Sequence, residues 1–122
     1  MLANVMTDAF SLKDKRALVT GASSGLGPVI ARHLDAAGAS VTVHYHHNQA
    51  GGESVVTTLD NPADLVQADL NLPESVIALF NRAAPVDILV NCAAAGSQNA
   101  AGLETLDNSH WRSTQQTNVE AP

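Results

Sequence analysis

Short apolar runs alternate along the chain with longer stretches of helical periodicity. Arg16–Thr20 (RALVT) has the character of a short buried strand and stops at Gly21. Leu26, Ile30, Leu34 and Ala37 then recur at near-helical spacing, and Gly38 closes that helix. Pro28 falls in its first turn, where a missing N–H costs nothing. The β-branched run Ser40–Tyr45 (SVTVHY) predicts a second strand. A helix over 49–59 follows, with Gly51 and Gly52 each weakening its first turn by about 1 kcal/mol relative to alanine. Residues 64–68 (DLVQA) predict a third strand. Pro73 opens a helix over 73–82 that carries Val76, Leu79 and Phe80 on one face. The run 86–91 (VDILVN) is the plainest strand in the chain. A Gly/Ala/Ser-rich loop over 93–102 comes next, then a last helix starting near Asp107, with Asp107 or Ser109 as its cap.

Four strands interleaved with four helices across short connections predict an α/β domain: a parallel sheet with right-handed crossovers and helices on both faces. No repeat, charge run or linker divides it. The domain is expected over 12–122, behind a flexible tail over 1–11.

Composition narrows the class. A chain of 122 residues fits one core. Hydrophobic residues make up 45% and charged residues 15%, and the four aromatics are Phe10, Tyr45, Phe80 and Trp111. The core must therefore be Ala, Val, Leu and Ile, the usual filling of a parallel sheet between helices. Six basic against 12 acidic residues give a net charge of −6, which argues against a nucleic-acid partner. No apolar run approaches the ~18 residues of a membrane span. The opening MLANVMTDAF has no basic region and carries Asp8, unlike a secretory leader. With Cys92 as the single cysteine, a reduced, cytoplasmic protein is expected.

The most informative stretch is Thr20-Gly-Ala-Ser-Ser-Gly-Leu-Gly27, between a predicted strand and a predicted helix. Gly21 permits the tight turn, Gly25 bares the backbone for a pyrophosphate, and Gly27 lets the helix pack close to the sheet. Ser23, Ser24 and Leu26 complete the loop, and the N–H groups at the helix start would face the anion. The spacing is G-x-x-x-G-x-G rather than the common G-x-G-x-x-G. A tight strand-to-helix turn with no ligand is the plain alternative.

TGASSGLG after RALV resembles the cofactor turn of the short-chain dehydrogenase/reductase family. Ala68-Asp69-Leu70 resembles the family's acidic position after the third strand, whose carboxylate accepts a hydrogen bond from the adenine amino group. Asp87-Ile-Leu-Val-Asn-Cys-Ala-Ala94 resembles its D-I-L-V-N-N-A-G, with Asn91 and Ala93 beside the cofactor and Cys92 and Ala94 as departures. Trp111 followed by Asn118-Val-Glu-Ala-Pro122 resembles the helix carrying its active-site asparagine. The resemblance spans 12–122. It implies a Rossmann-like parallel sheet of order 3-2-1-4, cut after its fourth strand. VDILV would then be an exposed apolar edge, and a homo-oligomer through it or through the last helix is expected.

In such a fold the residue ending the second strand reads the ribose, and a carboxylate there repels a 2′-phosphate. Here the segment is His44-Tyr-His-His-Asn48, with no acid before Glu53, so NADP is favoured over NAD. The segment resembles the H-Y-H-R-S of pteridine reductases, an NADPH-using branch. That likeness would put Tyr45 at the adenosine ribose and His46, His47 and Asn48 around the 2′-phosphate. A competing reading gives His44, His46 and His47 to zinc, though no cysteine or acid lies near to complete the site.

In the family, a tyrosine four residues before a lysine protonates the developing alkoxide, and a serine orients the substrate oxygen. Tyr45 is followed at that spacing by Gln49, and the only lysines are Lys13 and Lys15. Of the active-site set only Asn118 is present. The resemblance implies an oxidoreductase moving hydride between NADP(H) and a small carbonyl, alcohol or pterin-like substrate, with this chain inactive alone. The alternative is a truncated, non-catalytic module that binds nucleotide or pairs with another subunit.

Overall fold

Parallel pairing of apolar strands builds the centre of the molecule. The computed structural model describes residues 9–94 and 108–122. Strands β1 (Arg16–Thr20), β2 (Ser40–Tyr45), β3 (Ala63–Gln67) and β4 (Ile88–Asn91) form one sheet in the order β3-β2-β1-β4. All neighbours run parallel, with Val19 opposite Val43 and Val90, and Thr20 opposite Asn91. Helices α1 (Leu26–Ala36), α2 (Gln49–Thr57) and α3 (Pro73–Ala83) connect the strands. Helix α4 (Asn108–Gln115) runs into a π-helical turn over Gln116–Glu120.

Strand alternation sorts the core onto two faces. Ala17, Val19, Val41 and Val43 pack with Ala22, Ala31, Ala39 and Val55 on one. Leu18, Val66, Ala68 and Leu70 pack with Leu79 and Ala83 of α3 on the other. The small side chains let the helices sit close to the sheet.

Several boundaries differ from the sequence expectation. Strand β3 begins and ends one residue earlier than 64–68, though the Ala68 N–H still donates to the Tyr45 carbonyl at 3.1 Å. Strand β4 is shorter than 86–91 because the Arg16 N–H donates to Asp87 Oδ2 at 2.9 Å, a side chain standing where a ladder carbonyl would be. Helix α2 stops at Thr57 because Thr58 and Leu59 donate three residues back, to Val55 and Val56. Leu26 is 67% exposed instead of lying on the buried face of α1, which is made by Gly27, Pro28, Ala31 and Asp35. Ser109 is the second residue of α4. Asp107, residues 95–102 of the expected loop and residues 1–8 of the expected tail lie outside the described residues.

Asp35 is a buried carboxylate on α1 that ties down the turn before β3. It accepts from the N–H groups of Asp60 at 2.9 Å and Asn61 at 2.8 Å, and from Asn61 Nδ2 at 3.1 Å. Burial pushes its pKa up, but these bonds outweigh burial and hold it below the ordinary carboxylate value. A lowered folded-state value means the stabilisation is present above the unfolded value and is lost as pH falls through the folded one. Asp35→Ala is expected to cost about 1.5–3 kcal/mol at neutral pH, the worth of charged hydrogen bonds to partly buried N–H groups. Urea denaturation checks this, and the gap from wild type should shrink below about pH 4.

Candidate functional site

The carboxyl ends of the strands carry the predicted site, and its centre is the turn from β1 into α1. Gly27 sits so close beneath this turn that a Cβ there would lie 2.4 Å from the Gly21 carbonyl oxygen and 2.6 Å from Ala22 Cα. Gly25, the residue before α1, has φ 69°, and a Cβ there would meet nothing within 4 Å. No side chain caps α1, and its first turn has no acidic residue. The helix therefore presents N–H groups without a side-chain partner, and the positive end of its dipole, over a bare and open glycine. Ser24, Gly25 and Leu26 are exposed at this lip, with Ser23 partly covered.

The loop after β2 borders the turn. His46 and His47 stack with ring centroids 3.6 Å apart, and His46 Nε2 lies 3.7 Å from Asp69 Oδ2. Tyr45 is half-buried at the end of β2. Asn48 has a role its position alone did not suggest. Its Oδ1 accepts from the Gly51 N–H at 3.0 Å, capping α2, and its Nδ2 donates to the Ser23 carbonyl at 3.2 Å. Its amide thus staples the second loop to the glycine turn. Gly51, expected only to weaken its helix, permits this approach: a Cβ there would lie 2.4 Å from the Ser23 carbonyl oxygen.

Asp69 and Leu70 follow β3. Asp69 Oδ1 accepts from the Asn71 N–H at 2.9 Å, and the Asp69 N–H donates to Ser75 Oγ at 2.9 Å, which fixes the carboxylate at the rim. Leu70 is buried and lines a small cleft with Thr20, Asn91, Ala93, Thr117 and Pro122. Thr20 Oγ1 accepts from the N–H groups of Cys92 and Ala93, both at 3.2 Å, and so holds the segment after β4 against the end of β1. Asn91 is exposed beside Thr20. Asn118 is exposed on the π-helical turn, next to buried Thr117, whose Oγ1 donates to Asn71 Oδ1 at 2.9 Å. The predicted residues thus gather along one rim, from His47 through the turn to Asn91, with Asn118 on the segment anchored to Asn71.

His44 is the main side chain behind the turn whose place the sequence did not show. It is 2% exposed, its Nδ1 accepts the Gly21 N–H at 3.0 Å, and its Nε2 lies 3.0 Å from the Ala68 carbonyl oxygen. Those partners require the neutral tautomer with hydrogen on Nε2. Burial lowers its pKa below the ordinary imidazole value; the bond to Ala68 works the other way and the neighbouring His46 adds to the lowering. With both nitrogens engaged, His44 has no lone pair for zinc, and no metal-holding group of three His, Cys, Asp or Glu occurs among the described residues. The available signal was a polar residue facing inward on an apolar strand, which must find partners. Thr20, Asn71 and Thr117 were missed because their partners are distant in sequence.

Comparison with known proteins fits this arrangement. A family model described as short chain dehydrogenase matches residues 15–122. The chain is 36% identical over 118 residues to an uncharacterised oxidoreductase of Methylorubrum extorquens, covering 88% of this chain and 46% of that protein. It is 33% identical over 122 residues to the NADPH-dependent aldehyde reductase 2 of Arabidopsis thaliana chloroplasts, covering 85% and 45%. A solved short chain dehydrogenase from Burkholderia cenocepacia in complex with NADP superposes with a TM-score of 0.82 at 37% identity, covering 90% of this chain and 47% of that one. A metagenomic blue fluorescent protein in complex with NADPH gives 0.84 at 32% identity, covering 92% and 48%. The chain spans about half the length of the relatives it matches. The glycine turn, the Rossmann-like sheet and these likenesses agree, and the chain belongs to the short chain dehydrogenase family.

Proposed function

We propose that this chain binds NADP(H) and forms the cofactor-holding part of an oxidoreductase acting on a small carbonyl, alcohol or pterin-like substrate. The observation that carries the reading is the uncapped start of α1 behind Gly25, where open space meets unpartnered N–H groups. A pyrophosphate suits such a place, with Gly21, Ser23, Ser24, Gly25, Leu26 and Gly27 around it. Tyr45, His46, His47 and Asn48 would border the adenosine ribose and its 2′-phosphate. Asp69 and Leu70 would flank the adenine, and Asn91 and Ala93 the far ribose. The absence of a carboxylate at the end of β2 supports the 2′-phosphate, as do the NADP and NADPH in the similar structures.

Bound in this site, the cofactor would supply a hydride. The chain's own residues bind and orient. Asn118 has an amide that can hold a water but cannot give up a proton to an alkoxide, and Tyr45 stands on the adenosine side with no lysine four residues on. Binding without turnover is the reading for this chain by itself. Exposed Leu89, Trp111 and Val119 favour a second reading, a module that pairs with a second copy or another subunit. Sedimentation at rising concentration separates the two: a chain that stays monomeric while it binds NADPH fits the first, and a chain that dimerises through these residues fits the second.

The test is calorimetric titration with NADPH and NADH. NADPH should bind about tenfold or more tightly than NADH if the loop after β2 takes the 2′-phosphate. No binding of either nucleotide overturns the reading, and equal affinity for the two removes His46, His47 and Asn48 from the 2′-phosphate.

A further inference from the structure

We propose that His44 is a positioning residue that ties the glycine turn to the end of β3 only while its imidazole is neutral, so that protonation loosens the turn and weakens dinucleotide binding. The inference rests on the dinucleotide reading above. Residue 44 holds the turn twice: its carbonyl accepts the Ala22 N–H at 2.9 Å and its ring accepts the Gly21 N–H at 3.0 Å. On its far side the ring donates to the Ala68 carbonyl, one residue before Asp69. One buried side chain thus joins the pyrophosphate turn to the adenine rim.

A proton on Nδ1 would set donor against donor at Gly21 and place a cation in an apolar layer. Nothing nearby is placed to compensate it. His46, two residues on in the loop after β2, is itself 3.7 Å from Asp69. On α3, which covers this face of the sheet, Glu74 and Arg82 are exposed, with Arg82 3.5 Å from Asp64. On the last helical segment Arg112 and Glu120 are exposed. The closed turn therefore takes up fewer protons than the open one. Closure holds at and above the ordinary imidazole value of about 6.5 and weakens as pH falls below it.

The experiment is fluorescence titration of the full chain with NADH, which takes the 2′-phosphate out of the comparison, between about pH 8 and pH 5. Wild-type affinity should hold to about pH 6.5 and then fall about tenfold or more by pH 5, with far-UV circular dichroism unchanged. His44→Gln keeps an acceptor for Gly21 and a donor for Ala68 but does not titrate, so it should bind within about threefold of wild type and lose the acid fall. An acid fall retained in His44→Gln, a flat wild-type profile, or unfolding at the same pH overturns the proposal. Nitrogen-15 NMR of the cofactor-free wild type gives a second reading that needs neither the variant nor a ligand. The His44 ring and the Gly21 amide should shift together on acidification, and a Gly21 signal that ignores His44 overturns the coupling. Coupled signals in a chain that binds neither NADPH nor NADH would count against the dinucleotide reading alone.

Discussion

Replacing Gly27 by alanine is expected to destabilise the domain by about 3–5 kcal/mol, much of the 5–15 kcal/mol that holds a typical domain folded. The added methyl would lie 2.4 Å from the Gly21 carbonyl oxygen and 2.6 Å from Ala22 Cα. Both are backbone atoms, so no rotamer change relieves the overlap. The first turn of α1 must move away from β1, and Ala22 and Ala31 of the core beneath it lose their packing. Equilibrium urea denaturation followed by circular dichroism measures the loss. A variant as stable as wild type would mean that the turn is not packed as described.

Gly25→Asp is expected to do the opposite: leave the fold and remove the ligand. No atom within 4 Å would meet a Cβ at position 25, so the cost to the fold is the backbone strain of a side chain at φ 69° and ψ −130°, about 1–3 kcal/mol. The carboxylate would occupy the mouth of α1, satisfying the N–H groups offered there and repelling a pyrophosphate. NADPH affinity should fall at least about 100-fold, which is about 2.7 kcal/mol. Titration calorimetry on a sample with wild-type circular dichroism checks it. Binding within tenfold of wild type would show that the anion does not sit on this turn.

The two glycines also show where sequence reasoning ran out. Their spacing identified the turn, and the strand–helix alternation predicted a parallel sheet because buried parallel strands leave a strong apolar signal, while the order β3-β2-β1-β4 followed from the family resemblance. What decides each glycine's role is distance to backbone brought from elsewhere, and spacing carries no such information. Asn48 shows the same limit: as a residue type it suggests a ligand contact, but its partners, Gly51 and the Ser23 carbonyl, exist only once α2 docks on the turn. Alternation predicts His44 and His46 on one strand face, yet β2 ends at Tyr45, so His44 is sealed between Gly21 and Ala68 while His46 meets Asp69 at the rim. The π-helical turn over Gln116–Glu120 left no trace in the periodicity, since Thr117 is held by Asn71, a residue 46 positions earlier.

Strand β1 pairs on one side with β2 and on the other with β4, although Thr20 and Val90 stand 70 residues apart. On the ribosome this sets a schedule. The unit β1-β2-β3, with α1 and α2, is complete in sequence before β4 is made. At about 5–20 residues per second the open side of β1 waits roughly 4–14 s for its partner. For that interval the nascent chain carries a bare row of N–H and C=O groups along one side of β1, and chaperone demand should peak there.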